Sequence, residues 1–154
     1  MGVTGAGKST VGIQLAERLG VPFADADDFH SPENVAKMRA GTPLTDDDRL
    51  PWLRAIGTWL AEHTGAVVTC SALKRAYRDI LRTAAPDVTF LHLDGDMDTV
   101  RRRVAGREKH FMPESLVQSQ FDALEPLGPD ERGVVVDLGL PVDAIVERVA
   151  SELS

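Results

Sequence analysis

Cysteine is nearly missing from this sequence, and that alone removes several classes of protein. Cys70 is the single one, so neither an internal disulfide framework nor a cysteine-built metal cage is open to the chain. It ends an apolar run, where a reduced, buried thiol behaves as a small hydrophobe. Long apolar runs are missing as well. No stretch approaches the roughly 18 uninterrupted apolar residues of a membrane span. The N-terminus lacks the basic segment and apolar run of a signal peptide, so the cytoplasm is the expected compartment. Histidines and acids nowhere take the spacing of a zinc site. Repeats, low-complexity tracts and long linkers are absent, and 154 residues suit one domain over 1–154. Basic charge is in deficit: 17 Lys and Arg stand against 24 Asp and Glu, a net −7. That field opposes non-specific nucleic-acid binding. Any phosphate site must therefore be built locally, from backbone amides and clustered cations.

What is present alternates helices with short β-branched runs, the pattern of an α/β domain with a parallel sheet. Residues 8–19 carry Val11, Leu15 and Leu19 on one helical face, with Gly20 as a stop. A weak strand follows over 22–27. Ser31 and Pro32 open a helix as N-cap and first helical residue, and Gly41 closes it. After a polar turn over 42–48, a further helix is expected to start at Pro51. Strands are expected over 66–70, 88–93 and 133–137, and helices over 71–82, 96–106, from Pro113, and 141–153.

The chemistry begins at the second residue. Gly2-Val3-Thr4-Gly5-Ala6-Gly7-Lys8-Ser9 matches G-x-x-x-x-G-K-[ST] at every fixed position. The glycines let the backbone curl so that successive N–H groups converge on phosphate oxygens, and the helix behind adds its positive end. Gly2, Thr4, Gly5, Ala6, Gly7, Lys8, Ser9 and Thr10 are the candidate nucleotide contacts. Lys8 reaches the terminal phosphates, and the Ser9 hydroxyl is offered to Mg²⁺. A cradle of this kind ordinarily follows a strand. Here none precedes it, and the strand expected in the middle of the sheet is not supplied.

Three segments can serve an acceptor. Asp25-Ala26-Asp27-Asp28-Phe29-His30 lies at a strand end, which in an open α/β sheet faces the ligand crevice. Asp27 there can orient a hydroxyl and take its proton, while a lone histidine such as His30 is more often a structural hydrogen-bonder. Thr45 and Asp48 can simply cap a helix. Lys74 and Arg78, four residues apart beyond another strand, are expected on one helical face and suit an anionic acceptor. The densest basic patch is Arg101, Arg102, Arg103, Arg107, Lys109 and His110. With Gly106 as hinge, it reads as a lid over about 104–113 that brings an arginine to the transferring phosphoryl group. No acid ends the strand over 66–70, so metal support falls to Ser9, water and Asp27.

These segments together resemble the gluconokinases of the P-loop, shikimate-kinase-like group. The carriers are the cradle, 25–30, Gly-Thr-Pro-Leu-Thr-Asp-Asp-Asp-Arg over 41–49 with Pro51-Trp52-Leu53, Cys-Ser-Ala-Leu-Lys over 70–74 with Tyr77-Arg78-Asp79, and His110-Phe111 before Gln120-Phe121. The resemblance implies ATP- and Mg²⁺-dependent phosphorylation of the 6-hydroxyl of D-gluconate. It implies a nucleoside-monophosphate-kinase-like fold with a parallel five-stranded sheet flanked by helices, and commonly a homodimer. Asp27 becomes the expected base. His30, Lys74, Arg78 and His110 become expected gluconate contacts, and Arg103 and Arg107 expected catalytic lid residues. Shikimate kinase or another small-molecule kinase is the alternative within enzymes. A nucleotide-binding regulator without turnover is the alternative outside them.

Overall fold

Helix α1, Lys8–Leu19, starts from a left-handed Gly7 and ends on Gly20, whose N–H returns to the carbonyls of Ala16 and Glu17. The computed structural model describes residues 1–105 and 114–153. After α1 come β1, Phe23–Asp25, a 3₁₀ turn, Ala26–Phe29, and α2, Pro32–Arg39. Ser31 caps α2 as expected, its Oγ accepting the Asn34 N–H at 3.1 Å, with Pro32 in the first turn.

Helix α3, Asp46–Glu62, begins five residues before the expected start at Pro51. Thr45 Oγ1 accepts the Asp48 N–H at 3.1 Å and Asp48 Oδ2 accepts the Thr45 N–H at 2.9 Å. This reciprocal capping box nucleates the helix, and the three acids of its first turn, Asp46, Asp47 and Asp48, lie at its positive end. Pro51 is carried inside, where it forgoes a single backbone bond.

The remaining elements are β2, Val67–Thr69, α4, Arg75–Ala84, β3, Phe90–Asp94, α5, Met97–Ala105, α6, Glu114–Ala123, β4, Gly133–Asp137, and α7, Val142–Leu153. Strand β1 runs parallel to β2, with Phe23 opposite Val67 and Asp25 opposite Thr69. Strand β3 runs parallel to β4, from Phe90 opposite Gly133 to Asp94 opposite Asp137. Among the described residues the strands thus form two parallel pairs, where the resemblance implies one five-stranded sheet. Met1 and Gly2 bridge the pairs at one end. The Met1 amine donates to Leu91 O, Met1 O accepts the Leu93 N–H at 3.0 Å, and the Gly2 N–H donates to Ser71 O at 3.2 Å.

Two apolar clusters form the core. One joins Val11 and Leu15 of α1 to Leu93, Val136, Ile145 and Val149. The other joins Trp52, Leu53 and Ile56 of α3 to Cys70, Leu81 and Phe90. Cys70 is buried, and burial pushes its thiol pKa up, as an inert packing residue requires. Within each pair the strands run the same way, so Asp25 and the turn over 70–74 emerge at one end of the first pair, and residues 94–96 and Asp137 at one end of the second. Among the described residues no helix is long and apolar enough to cross a membrane.

Candidate active site

The cradle has the backbone its glycines predict. Gly2, Gly5 and Gly7 take φ of 150°, 80° and 93°, a region hostile to side chains. Helix α5 closes directly over the loop: a Cβ added at Gly5 would meet Val104 Cγ2 at 2.7 Å. From the same helix, Arg103 donates through Nη1 to Ala6 O at 3.4 Å and through Nη2 to Leu138 O. Lys8 Nζ donates to Gly2 O and Val3 O, both at 3.0 Å. The Thr4 N–H donates to Gln120 Oε1 of α6 at 2.6 Å.

The first turn of α1 holds no acid, and Gly7 offers no side-chain cap. Its amides are left for an outside anion. Main-chain donors and two cations, Lys8 and Arg103, fit a chain of phosphates. Ser9 and Thr10 lie exposed in that turn. Among the described residues no group of three or more His, Cys, Asp or Glu side chains is able to hold a metal. A hard cation there fits only if phosphate oxygens and water complete its shell.

Across the crevice, Asp25 Oδ1 accepts the Asp27 N–H at 2.9 Å and so shapes the 3₁₀ turn that presents Asp27. Protein packed on one side of this carboxyl raises its pKa. The neighbouring Asp25 charge adds to the rise, while His30 and Lys8 oppose it. His30 stacks on Trp52 at 4.3 Å with the rings 10° apart, and burial lowers its pKa, favouring the neutral ring. Trp52 is itself locked by an Nε1–H bond to Ala26 O at 2.7 Å.

A second group gathers around Tyr77. Arg49 of α3 donates to the Tyr77 hydroxyl at 3.2 Å, and that hydroxyl donates to Asp46 Oδ1 at 2.6 Å. Arg49 Cζ and Lys74 Nζ each lie 5.6 Å from the Tyr77 ring centroid. Two cations, one from α3 and one from the extended N-cap of α4, therefore converge on one ring. Arg49 was not singled out by the sequence. The usable signal was Thr45-x-x-Asp48, which fixes the helix phase and puts Arg49 on its inner side.

Arg78 requires a correction. Lys74 and Arg78 do not share a helical face, because α4 starts at Arg75 rather than Ser71, and Lys74 is its extended N-cap. The chain between turns through Ala72 at φ 45°, a left-handed conformation. Arg78 is wholly buried. Its Nε and Nη2 donate to Glu131 at 2.9 and 3.1 Å, and its Nη1 donates to Ala72 O and Leu73 O at 2.9 and 3.3 Å. Glu131 also accepts the Gly128 N–H at 2.7 Å and pairs with Arg82. The Arg78 guanidinium, foremost, holds the Glu131 carboxyl down at about 2. Arg78 thus ties down the turn that carries Lys74, enclosed among these partners. Arg107 and His110, with nearly all of the expected lid, lie outside the described residues.

A family model for shikimate kinase matches residues 4–125. The thermosensitive gluconokinase of Escherichia coli K12 is 44% identical over 154 residues, spanning 96% of this chain and 82% of the relative. The gluconokinase of Gluconobacter oxydans is 46% identical over 153 residues, spanning 97% and 86%. Among solved structures, a gluconokinase from Sinorhizobium meliloti 1021 superposes with a TM-score of 0.87 at 47% identity, over 99% of this chain and 92% of that one. A shikimate kinase from Bacteroides thetaiotaomicron, at 18% identity and a TM-score of 0.68, shares the fold. The chain belongs to the shikimate kinase family, and within it to the gluconokinases.

Proposed function

We propose that this protein transfers the γ-phosphoryl group of ATP to the 6-hydroxyl of D-gluconate, giving ADP and 6-phospho-D-gluconate. The observation that carries this reading is geometric: a loop whose Gly2, Gly5 and Gly7 take positive φ opens helix α1, and a 3₁₀ turn fixed by Asp25 presents Asp27. Asp27 aligns the acceptor hydroxyl and takes its proton as the new O–P bond forms and the bond to the ADP oxygen breaks. Lys8 and Arg103 meet the negative charge that spreads over the moving phosphoryl group. Magnesium, when bound, neutralises phosphate charge, and Ser9 is the side chain that would hold it. Lys74 and Arg49 seat the gluconate carboxylate, while neutral His30 hydrogen-bonds sugar hydroxyls. Arg107 and His110 enter on the resemblance alone, as residues closing over the bound pair.

ADP release measured with gluconate, shikimate and nucleoside monophosphates as separate acceptors tests the proposal. Turnover is expected with gluconate. Turnover with shikimate in its place would reject the assignment.

A further inference from the structure

Asn34 is buried between His30 and the first turn of α3. Its backbone is pinned by the Ser31 hydroxyl, which accepts the Asn34 N–H. Its side-chain Nδ2 donates to Asp48 O at 3.0 Å and stands 3.4 Å from His30 Nδ1. Three residues further along α2, Lys37 Nζ grips the carboxylate of the same Asp48 at 2.8 and 2.9 Å. Positions three apart share a helical face, so α2 holds Asp48 by carbonyl and carboxylate together. The capping box with Thr45 holds it from its own helix as well.

Donor and acceptor chemistry then leaves a single arrangement. A backbone carbonyl only accepts, so the amide must turn its NH₂, and not its oxygen, towards Asp48 O. That NH₂ carries two hydrogens. One goes to Asp48 O, and the other faces His30 Nδ1, which is therefore the bare, accepting nitrogen. The ring proton sits on Nε2. A proton on both nitrogens would set N–H against N–H at Asn34. Burial, foremost, and the Arg49 charge also favour the neutral ring, against the pull of Asp27. The stack on Trp52 fixes the ring plane separately.

We propose that Asn34 is a positioning residue that locks His30 as the Nε2–H tautomer, so that the ring meets the acceptor substrate as an obligate hydrogen-bond donor. A sugar hydroxyl satisfies that N–H, because its oxygen accepts, whereas an ammonium group in its place does not. The lock stands on the geometry of α2 and α3; its effect on substrate rests on the acceptor site proposed above.

Long-range ¹H–¹⁵N spectra of the histidine rings at pH 9 read the proton's position directly. H30Q identifies the His30 signals by their loss among the four histidines. In the unsubstituted protein Nδ1 should show the shift of an unprotonated nitrogen and Nε2 that of a protonated one. N34D sets a carboxyl beside Nδ1 and, ionised or not, it offers an oxygen that accepts. The two shifts should then change places. With that reversal KM for gluconate should rise by about 10-fold or more, while KM for ATP stays. A merely structural role for Asn34 would leave the proton on Nε2. A protonated Nδ1 in the unsubstituted protein would overturn the proposal without recourse to any variant. So would an N34D protein that keeps the proton on Nε2, or one that reverses the tautomer with KM for gluconate unchanged. The spectra need no substrate, so failure of the gluconate assignment shows separately, as absent ADP release in the unsubstituted protein.

Discussion

Glutamine in place of Glu131 tests whether the buried Arg78 clamp holds the acceptor side together. The Glu131 side chain is 1% exposed and Arg78 is 0% exposed, so the substitution strands a guanidinium charge away from water. Removing one partner of such a pair costs about 3–5 kcal/mol. Proton linkage gives a similar figure. The carboxyl falls from 4.5 unfolded to about 2 folded, which is worth roughly 3 kcal/mol. For a domain of this size, Tm should drop by about 10 °C. The sign of the pH dependence follows from the lowered value. This stabilisation is fully present above pH 4.5 and is lost as pH falls towards 2, so the E131Q protein should show a flatter acid limb of stability. Thermal melts between pH 2 and 7 measure both effects. Because Arg78 also holds the Ala72 and Leu73 carbonyls, KM for gluconate should rise while that for ATP stays. A Tm loss under about 2 °C, or an unchanged acid limb, would refute the reasoning.

Lys8→Ala should lower kcat by about 100-fold or more, since charge stabilisation in the transition state is removed, while circular dichroism melts stay close to wild type. Asp27→Asn should lower kcat by about 100- to 10,000-fold. Because the Asp27 pKa is raised, mainly by burial, wild-type activity should climb with pH through a midpoint above that of a free aspartate, and that limb should vanish in D27N. A persistent limb would assign it to another group. Arg49→Met should raise KM for gluconate by about 10-fold or more, the worth of a charge-assisted bond, with KM for ATP unchanged in steady-state kinetics.

Local rules made much of this legible. The cradle is eight consecutive residues whose glycines and following helix announce themselves, and Ser31-Pro32 marks a helix start with no help from tertiary structure. Two competing start signals decided α3, and the capping box at Thr45 and Asp48 outweighed Pro51, because it satisfies two orphan N–H groups whereas proline merely tolerates a first turn. Arg78 was misplaced because the four-residue rule presumes an unbroken helix from Ser71, whereas its partner Glu131 lies 53 residues away. No spacing within either segment reveals that pairing. The convergence of Arg49 and Lys74 on Tyr77 is tertiary in the same sense. Residues 1–2 bond to β3 on one side and to Ser71, just past β2, on the other, a placement that periodicity in two residues cannot encode.

The contacts of Lys8 and Thr4 bear on how nucleotide arrives. A lysine resting on Gly2 O and Val3 O, and an amide resting on Gln120, mean that the loop is already bent into its receptive shape. On the proposed assignment of this loop to ATP, binding is then an exchange of partners, with little chain ordering to offset. Affinity would be a contest between phosphate oxygens and the protein's own carbonyls, and weakening those internal rivals, Gln120 first, would be the direct route to a tighter grip.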